Sequence, residues 1–171
     1  NMELINIVPE FNLYEEYWKI YTKSEALPPQ YISSDSEVER SIIGEGASIY
    51  GKVYNSIIGC GVVIGKDSIV RDSIIMNETQ IGEGCRLNKA IVAENVEIAN
   101  GVEVGVGEEA PNETDPSIYN SGLATIGEHS YIPEKVKIGK NTVVFGKTTE
   151  KDYHNQMLAS GKSLIKAGDK Q

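Results

Sequence analysis

The apolar residues of this chain recur in short, regular steps. Ser41-Ile42-Ile43, Ser56-Ile57-Ile58, Ser73-Ile74-Ile75 and Ala90-Ile91-Val92 echo one another at spacings of 15, 17 and 17 residues. A second echo lies between them at Ile49-Tyr50-Gly51, Ile64-Gly65, Ile81-Gly82 and Ile98-Ala99, and a third runs through Val70, Leu87 and Val104. Together they give an aliphatic register at 38, 43, 49, 58, 64, 70, 75, 81, 87, 92, 98 and 104, which resumes at Ile126, Ile132, Ile138 and Val144. Two residues before each of these stands a small or β-branched side chain, such as Ser56, Val62, Ser73, Thr79, Cys85 and Ala90.

Alternation of period two is the mark of a strand. Each segment therefore predicts a short strand that turns one small and one large residue inward. Glycine often follows the aliphatic residue, as at Gly44, Gly59, Gly65 and Gly82, where a corner is due. Three strands and three corners in roughly 17 residues close a coil, and coils stack at about 4.8 Å. One coil cannot bury its own interior, whereas a stack makes a continuous core. The predicted class is all-β, a single-stranded parallel β-helix of hexapeptide repeats. An ordinary β-sandwich has no reason to keep this register through both blocks. Periodicity leaves the hand of the coil open.

The register divides the chain. Residues 1–31 read as a linker whose Tyr14, Tyr17, Trp18, Ile20 and Tyr21 form an apolar face, for packing on the first coils or on another domain. Pro28-Pro29 disfavours helix at its end. Residues 32–146 are the β-helix. Residues 105–123, rich in acidic side chains with two prolines, interrupt it as an exposed loop, with an oligomer contact as the alternative. Residues 147–171 lose the pattern and read as a partly helical tail that caps the last coil. Open coil edges and the apolar linker predict self-association.

Charge narrows the function classes. The chain has 171 residues, 16 Lys+Arg against 25 Asp+Glu, and a formal charge of -9. That balance excludes a general nucleic-acid binder but leaves room for a small anion on a local cluster of cations. Two cysteines are too few for a disulfide scaffold, and no apolar run suits a membrane span or signal peptide, so a cytoplasmic protein is expected. The sequons at Asn77 and Asn112 are then chance matches. The start at Asn1 suggests a processed or truncated chain, or a tag residue before an original Met2.

Candidate chemistry is sparse. Acyl transfer needs a histidine base, and only His129 and His154 exist. A catalytic zinc site takes three protein ligands, which two histidines do not supply. Cys85 falls at an inward small position and Cys60 near a corner, so both read as structural. No catalytic or metal residues are assigned. Arg71, Arg86 and Lys89 are the candidate effector-binding residues. Arg71 and Lys89 are 18 residues apart, about one coil, which suggests neighbouring coils. Such a cluster suits a sugar phosphate, and solvated surface charge is the alternative.

The repeats resemble the hexapeptide-repeat β-helix family, and that resemblance implies a left-handed coil. A narrower resemblance begins at Asn1-Met2-Glu3-Leu4-Ile5, Trp18-Lys19-Ile20-Tyr21 and Leu27-Pro28-Pro29-Gln30-Tyr31-Ile32, and continues through Val38-Glu39-Arg40-Ser41 and Val70-Arg71-Asp72-Ser73-Ile74-Ile75-Met76. These segments are similar to the C-terminal part of bacterial ADP-glucose pyrophosphorylases, the glucose-1-phosphate adenylyltransferases. Met157-Leu158-Ala159-Ser160-Gly161-Lys162 looks like an extension of some Gram-positive-type members.

The resemblance implies a parent enzyme that makes ADP-glucose and pyrophosphate from ATP and glucose 1-phosphate with Mg²⁺, usually as a tetramer. Its phosphate loop and metal carboxylates lie in a nucleotidyltransferase domain absent from this chain. The expected role here is therefore regulatory and oligomerisation, without catalysis and without a cofactor of its own. A non-catalytic regulatory subunit of that enzyme and a hexapeptide acyltransferase are the alternatives. The family's basic activator positions align with Glu94 and Glu128, both acidic here, which implies a weak response to 3-phosphoglycerate-type and fructose-bisphosphate-type activators.

Overall fold

The computed structural model describes residues 2–13, 15–17 and 26–166. Seven coils follow one another. The first is β1 (Tyr31–Ile32), β2 (Glu37–Glu39) and β3 (Ile42–Ile43), and the second is β4 (Ser48–Ile49), β5 (Lys52–Tyr54) and β6 (Ile57–Ile58). The third is β7 (Val63–Ile64), β8 (Ile69–Arg71) and β9 (Ile74–Ile75), and the fourth is β10 (Gln80–Ile81), β11 (Arg86–Asn88) and β12 (Ala90–Val92). The fifth is β13 (Glu97–Ile98), β14 (Glu103–Val106) and β15 (Ala124–Ile126), and the sixth is β16 (Tyr131–Ile132), β17 (Lys137–Gly139) and β18 (Thr142–Phe145). The seventh has β19 (Met157–Leu158) and β20 (Ser163–Ile165), with a lone bridge from Lys147 to Tyr131 in place of a third strand.

Every third strand pairs in parallel. The first sheet is β1-β4-β7-β10-β13-β16, the second runs from β2 to β19, and the third runs from β3 to β20. The three sheets form the faces of a left-handed parallel β-helix. Ile49, Ile64, Ile81, Ile98 and Ile132 stack in register and are fully buried. Each such burial contributes about 1.5–3 kcal/mol, so the inward ladders dominate the stability of the prism. Ile75 is buried in a parallel ladder between Ile58 and Val92.

The small inward residues close the corners. Ser56 donates its hydroxyl to the Tyr54 carbonyl at 2.7 Å and accepts the Ser73 amide at 3.2 Å. Ser73 repeats this one coil on, donating to the Arg71 carbonyl at 2.6 Å and accepting the Ala90 amide at 3.0 Å. Ser68 donates to the Gly82 carbonyl at 2.6 Å and accepts the Cys85 amide at 2.9 Å. A small hydroxyl fits the corner and satisfies backbone groups that a larger apolar side chain would strand. No buried side-chain nitrogen or oxygen lacks a partner among the described residues.

In the second coil an inward residue escapes the sequence pattern. Val53 is fully buried on β5, between Val38 and Val70. The corner before it is short, and Gly51 stands where other coils carry a small side chain. A Cβ there would lie 2.4 Å from the Ser68 carbonyl oxygen. The step from Ile49 is therefore four residues, and the register skips it.

The ends depart most from expectation. Tyr17 is 99% exposed and packs on no coil, while Tyr14, Trp18, Ile20 and Tyr21 lie outside the described residues. The entry to the prism is held instead by the Pro28 carbonyl, which accepts the Gly46 amide at 2.7 Å. The insertion is not simply exposed. Asn112 is buried, donates to the Asn141 carbonyl at 2.8 Å, and accepts the Thr114 and Asp115 amides at 2.8 and 3.0 Å. Glu113 pairs with Lys162 at 2.6 Å and accepts the Ser163 amide at 3.1 Å.

The tail is mostly an additional coil. Its helical content among the described residues is one 3-10 turn, Glu150–Asp152, while β19 and β20 extend the second and third sheets. Residues 147–156 replace one corner by a longer excursion, which hid the coil. Tyr153 plugs it, buried, with its hydroxyl 2.7 Å from Thr148 Oγ1.

Candidate functional site

Arg71 ends β8 and Arg86 begins β11, on the outward side of the second sheet. The strands force this, because Val70 and Leu87 between them face the core. In the register, Arg71 lies beside Asn88, and Arg86 beside Ile69. The two guanidinium groups thus stand on adjacent strands at diagonal positions and line one shallow depression of about 290 Å³. Asn88 and Glu103 supply its other polar side chains.

Neighbouring charges shape the depression. Arg71 lies 4.6 Å over the Tyr54 ring, a cation–π contact that orients the guanidinium. The Lys52 ammonium, 3.0 Å away, holds the Glu37 carboxyl below its ordinary value. Glu37 in turn pushes the Tyr54 phenol up, so Tyr54 stays neutral beneath Arg71. Glu103 lies beside Arg86 in the ladder, and its carboxylate is paired with Lys137 at 3.0 Å. Neither arginine forms an ion pair among the described residues. A guanidinium group presents the fork of donors that a phosphate accepts.

The bulge after Val104 opens the depression. The register shifts there, and Gly105 takes φ 81°. A Cβ at Gly105 would lie 1.9 Å from the Asn88 carbonyl oxygen. A glycine inside a strand marks a bulge or a close backbone approach, and β14 runs through Gly105 where the sequence pattern predicted a loop.

Lys89 does not join the pair. A full coil here is 17 residues, so the 18-residue spacing carries Lys89 one position beyond Arg71, to the corner above Asp72. It has φ 51°, donates its amide to the Arg71 carbonyl at 3.2 Å, and accepts the Ala124 amide at 3.0 Å. Its position is that of a corner residue, and it does not line the depression.

Glu94 and Glu128 occupy equivalent corners of adjacent coils, because Val92 pairs with Ile126. The His129 amide donates to the Glu94 carbonyl at 3.1 Å. Glu94 accepts from the Asn77 amide group at 3.3 Å, and neither carboxylate forms an ion pair among the described residues.

The remaining candidates stay apart. His129 takes a left-handed corner of the sixth coil, beside a hollow of about 490 Å³ that also holds Glu97, Tyr131 and Lys147. His154 lies in the seventh coil, in a bridge to Met157. No group of three or more metal-ligating side chains occurs among the described residues. Burial pushes the Cys85 thiol up, and its Sγ is 3.2 Å from the Ala99 carbonyl oxygen, so it is a poor nucleophile.

Residues 28–126 match the model of a family described as GlmU-like, C-terminal hexapeptide. The glucose-1-phosphate adenylyltransferase of Lachnospira eligens is 58% identical over 169 residues, covering 99% of this chain and 40% of that protein. That of Acetivibrio thermocellus is 40% identical with the same coverage, and that of Thermotoga maritima is 43% identical over 96% of this chain and 39% of its own length. The chain thus spans about two fifths of the relatives' length. Among solved structures, a GDP-perosamine N-acetyl transferase from Caulobacter crescentus with CoA and GDP-perosamine superposes with a TM-score of 0.51 at 20% identity. It covers 83% of this chain and 55% of that one, a likeness of fold alone.

Proposed function

The chain belongs to the GlmU-like C-terminal hexapeptide family, and from that premise we propose that it is the regulatory and oligomerisation domain of a glucose-1-phosphate adenylyltransferase. The observation that carries this is the alignment with L. eligens, 58% identical and nearly end to end on this side but only 40% of the relative. The longer protein joins glucose 1-phosphate to the adenylyl group of ATP, giving ADP-glucose and releasing pyrophosphate. The glucose-1-phosphate oxygen attacks the α-phosphorus, and pyrophosphate departs. None of the residues described here has the arrangement for that step. In this reading the Mg²⁺ of the reaction is held by the rest of the longer protein.

This chain's part is to assemble and to sense. Arg71 and Arg86 form the anion site, while Lys89 contributes only long-range charge. Glu94 and Glu128, stacked at one edge, repel phosphates where a lysine pair would attract them. The parent therefore responds weakly to phosphoglycerate-type and bisphosphate-type activators, and it works as a cytoplasmic tetramer. Light scattering on the longer protein is expected to give a tetramer, and deletion of residues 26–166 a smaller species. A tetramer that survives the deletion removes the assembly role. Strong activation by either effector at micromolar concentration, retained after R71A/R86A/K89A, removes the regulatory reading.

A further inference from the structure

The second coil is two residues shorter than the first and the third, and the whole difference falls at one corner. Ile32 and Val38 are six residues apart, and so are Ile64 and Val70, but Ile49 and Val53 are four apart. The strands on both sides of that corner still pair in register, so the shortening is taken from the outer wall and not from the sheets. A notch of about 150 Å³ lies there, between the corners of coils one and three. Asp35 stands on one rim, Lys66 and Asp67 on the other, and Tyr50, Gly51 and Lys52 run along the floor. Gly51 cannot fill the notch, since a Cβ on it would meet the Ser68 carbonyl oxygen at 2.4 Å.

An aromatic pair borders the notch. Tyr50 follows the buried Ile49, so the alternation of the strand turns it outward. Tyr31 of the coil before lies beside it, with ring centroids 5.7 Å apart and ring planes at 49°. Tyr31 is 54% exposed and Tyr50 38%. The lining then selects a ligand. Two carboxylates, Asp35 and Asp67, and two ammonium groups, Lys52 and Lys66, leave the notch without net charge. Lys52 is paired with Glu37, while Asp35, Lys66 and Asp67 form no ion pair among the described residues. An anion is repelled by the carboxylates and a cation by Lys66, whereas a hydroxyl both donates and accepts and so answers both signs. The negative face of an aromatic ring attracts weakly positive C–H groups. A pyranose has both features, hydroxyls around its edge and C–H groups on its faces. Two rings inclined to each other fit successive sugars of a chain that curves, and not those of a flat one.

We propose that the notch of the second coil, together with the Tyr31–Tyr50 pair, is a binding site for a neutral, curved glucan. Its pyranose rings lie on the two tyrosines, and its hydroxyls reach Asp35, Lys66 and Asp67. The site shares no residue with the arginine depression, and it does not rest on the enzymatic reading.

The test is calorimetric titration of the full-length protein with maltoheptaose, a curved glucan, and with cellopentaose, a flat one. Maltoheptaose is expected to bind with a Kd of millimolar order or tighter, and cellopentaose several-fold more weakly. Tyr31→Ala and Tyr50→Ala together should weaken maltoheptaose by about tenfold or more. Tyr31→Phe and Tyr50→Phe together keep both rings and should retain most of the binding. Asp35→Ala and Asp67→Ala together should weaken it by about fivefold. Insertion of Lys-Asp between Tyr50 and Gly51 gives the corner the length of its neighbours, fills the notch and should abolish binding. Tyr131→Ala, at an outward tyrosine of the same sheet, is the control and should change nothing. Hydrogen exchange at the core amides of residues 58–98 should stay slow in every variant, which shows that the β-helix still folds. No binding of maltoheptaose to the wild-type protein at millimolar concentrations overturns the site. So does binding that survives loss of both rings, an equal loss in the control, or equal affinity for the flat oligosaccharide.

Discussion

Coils two to four and coil seven share a three-sided plan but are held together differently. In the middle coils, closure is local and repeated. Each inward aliphatic sits on its equivalent 15 or 17 residues away, and each corner is tied by a hydroxyl such as Ser56 or Ser73. In coil seven the first side is a single bridge at Lys147, and Leu158 and Leu164 have neighbours on one side only. What holds it comes from far along the chain. Asn112 and Glu113 reach back from the insertion to Asn141, Lys162 and Ser163. A solenoid interior supports itself through its repeats, and its last turn needs contacts outside the repeat.

The largest effect expected from breaking this contrast is in the middle. Ile75→Asp buries a charge without a partner in the central ladder, costing about 4 kcal/mol or more. Urea denaturation should show the whole stack weakened in one transition. A midpoint equal to wild type would mean that the register is wrong.

The next effect separates the regions. Asn112→Ala leaves the Asn141 carbonyl and two turn amides without partners, costing about 1–3 kcal/mol. Hydrogen exchange should quicken at residues 157–165 and hold steady at 58–98. Uniform acceleration across both would show that the insertion is not a local staple.

The smallest effect is a response to pH. Lys162 holds the folded Glu113 carboxyl below its ordinary 4.5, and Lys166 holds Asp152 below its ordinary 3.8. Both depressions stabilise the fold above the ordinary values, and the contribution is lost as pH falls through the lower folded values. Burial pushes the Tyr153 phenol from 10.0 up to about 12, so its contribution is complete below 10 and lost as pH rises toward 12. Coil seven should therefore loosen at both extremes before the middle coils do, and Glu113→Gln should blunt the acid limb. Both are read from exchange at residues 157–165, and simultaneous loosening of residues 58–98 would contradict them.

The same contrast explains what the sequence disclosed. The ladders of coils three, four and six were legible because their inward positions fall every five or six residues and depend on neighbours of the same kind. Val53 was lost where Gly51 shortens a corner. Coil seven was lost because its tie, Asn112 to Asn141 and Ser163, spans 29 and 51 residues and has no period. At the candidate site, Arg71 and Arg86 were legible as outward cations. Their separation from Lys89 was not, since one residue of offset carries a side chain from a flat strand to a corner. Gly105 needed knowledge of the backbone beside it.

In the function proposed above, this chain carries assembly and sensing and leaves the chemistry to the rest of the longer protein. The most direct test is pyrophosphate release by the purified chain with saturating ATP, glucose 1-phosphate and Mg²⁺, beside the full-length protein under the same conditions. The expected result is turnover by the full-length protein and, from this chain, no release above the rate without protein. Sustained turnover by a clean preparation of the chain alone would contradict the claim.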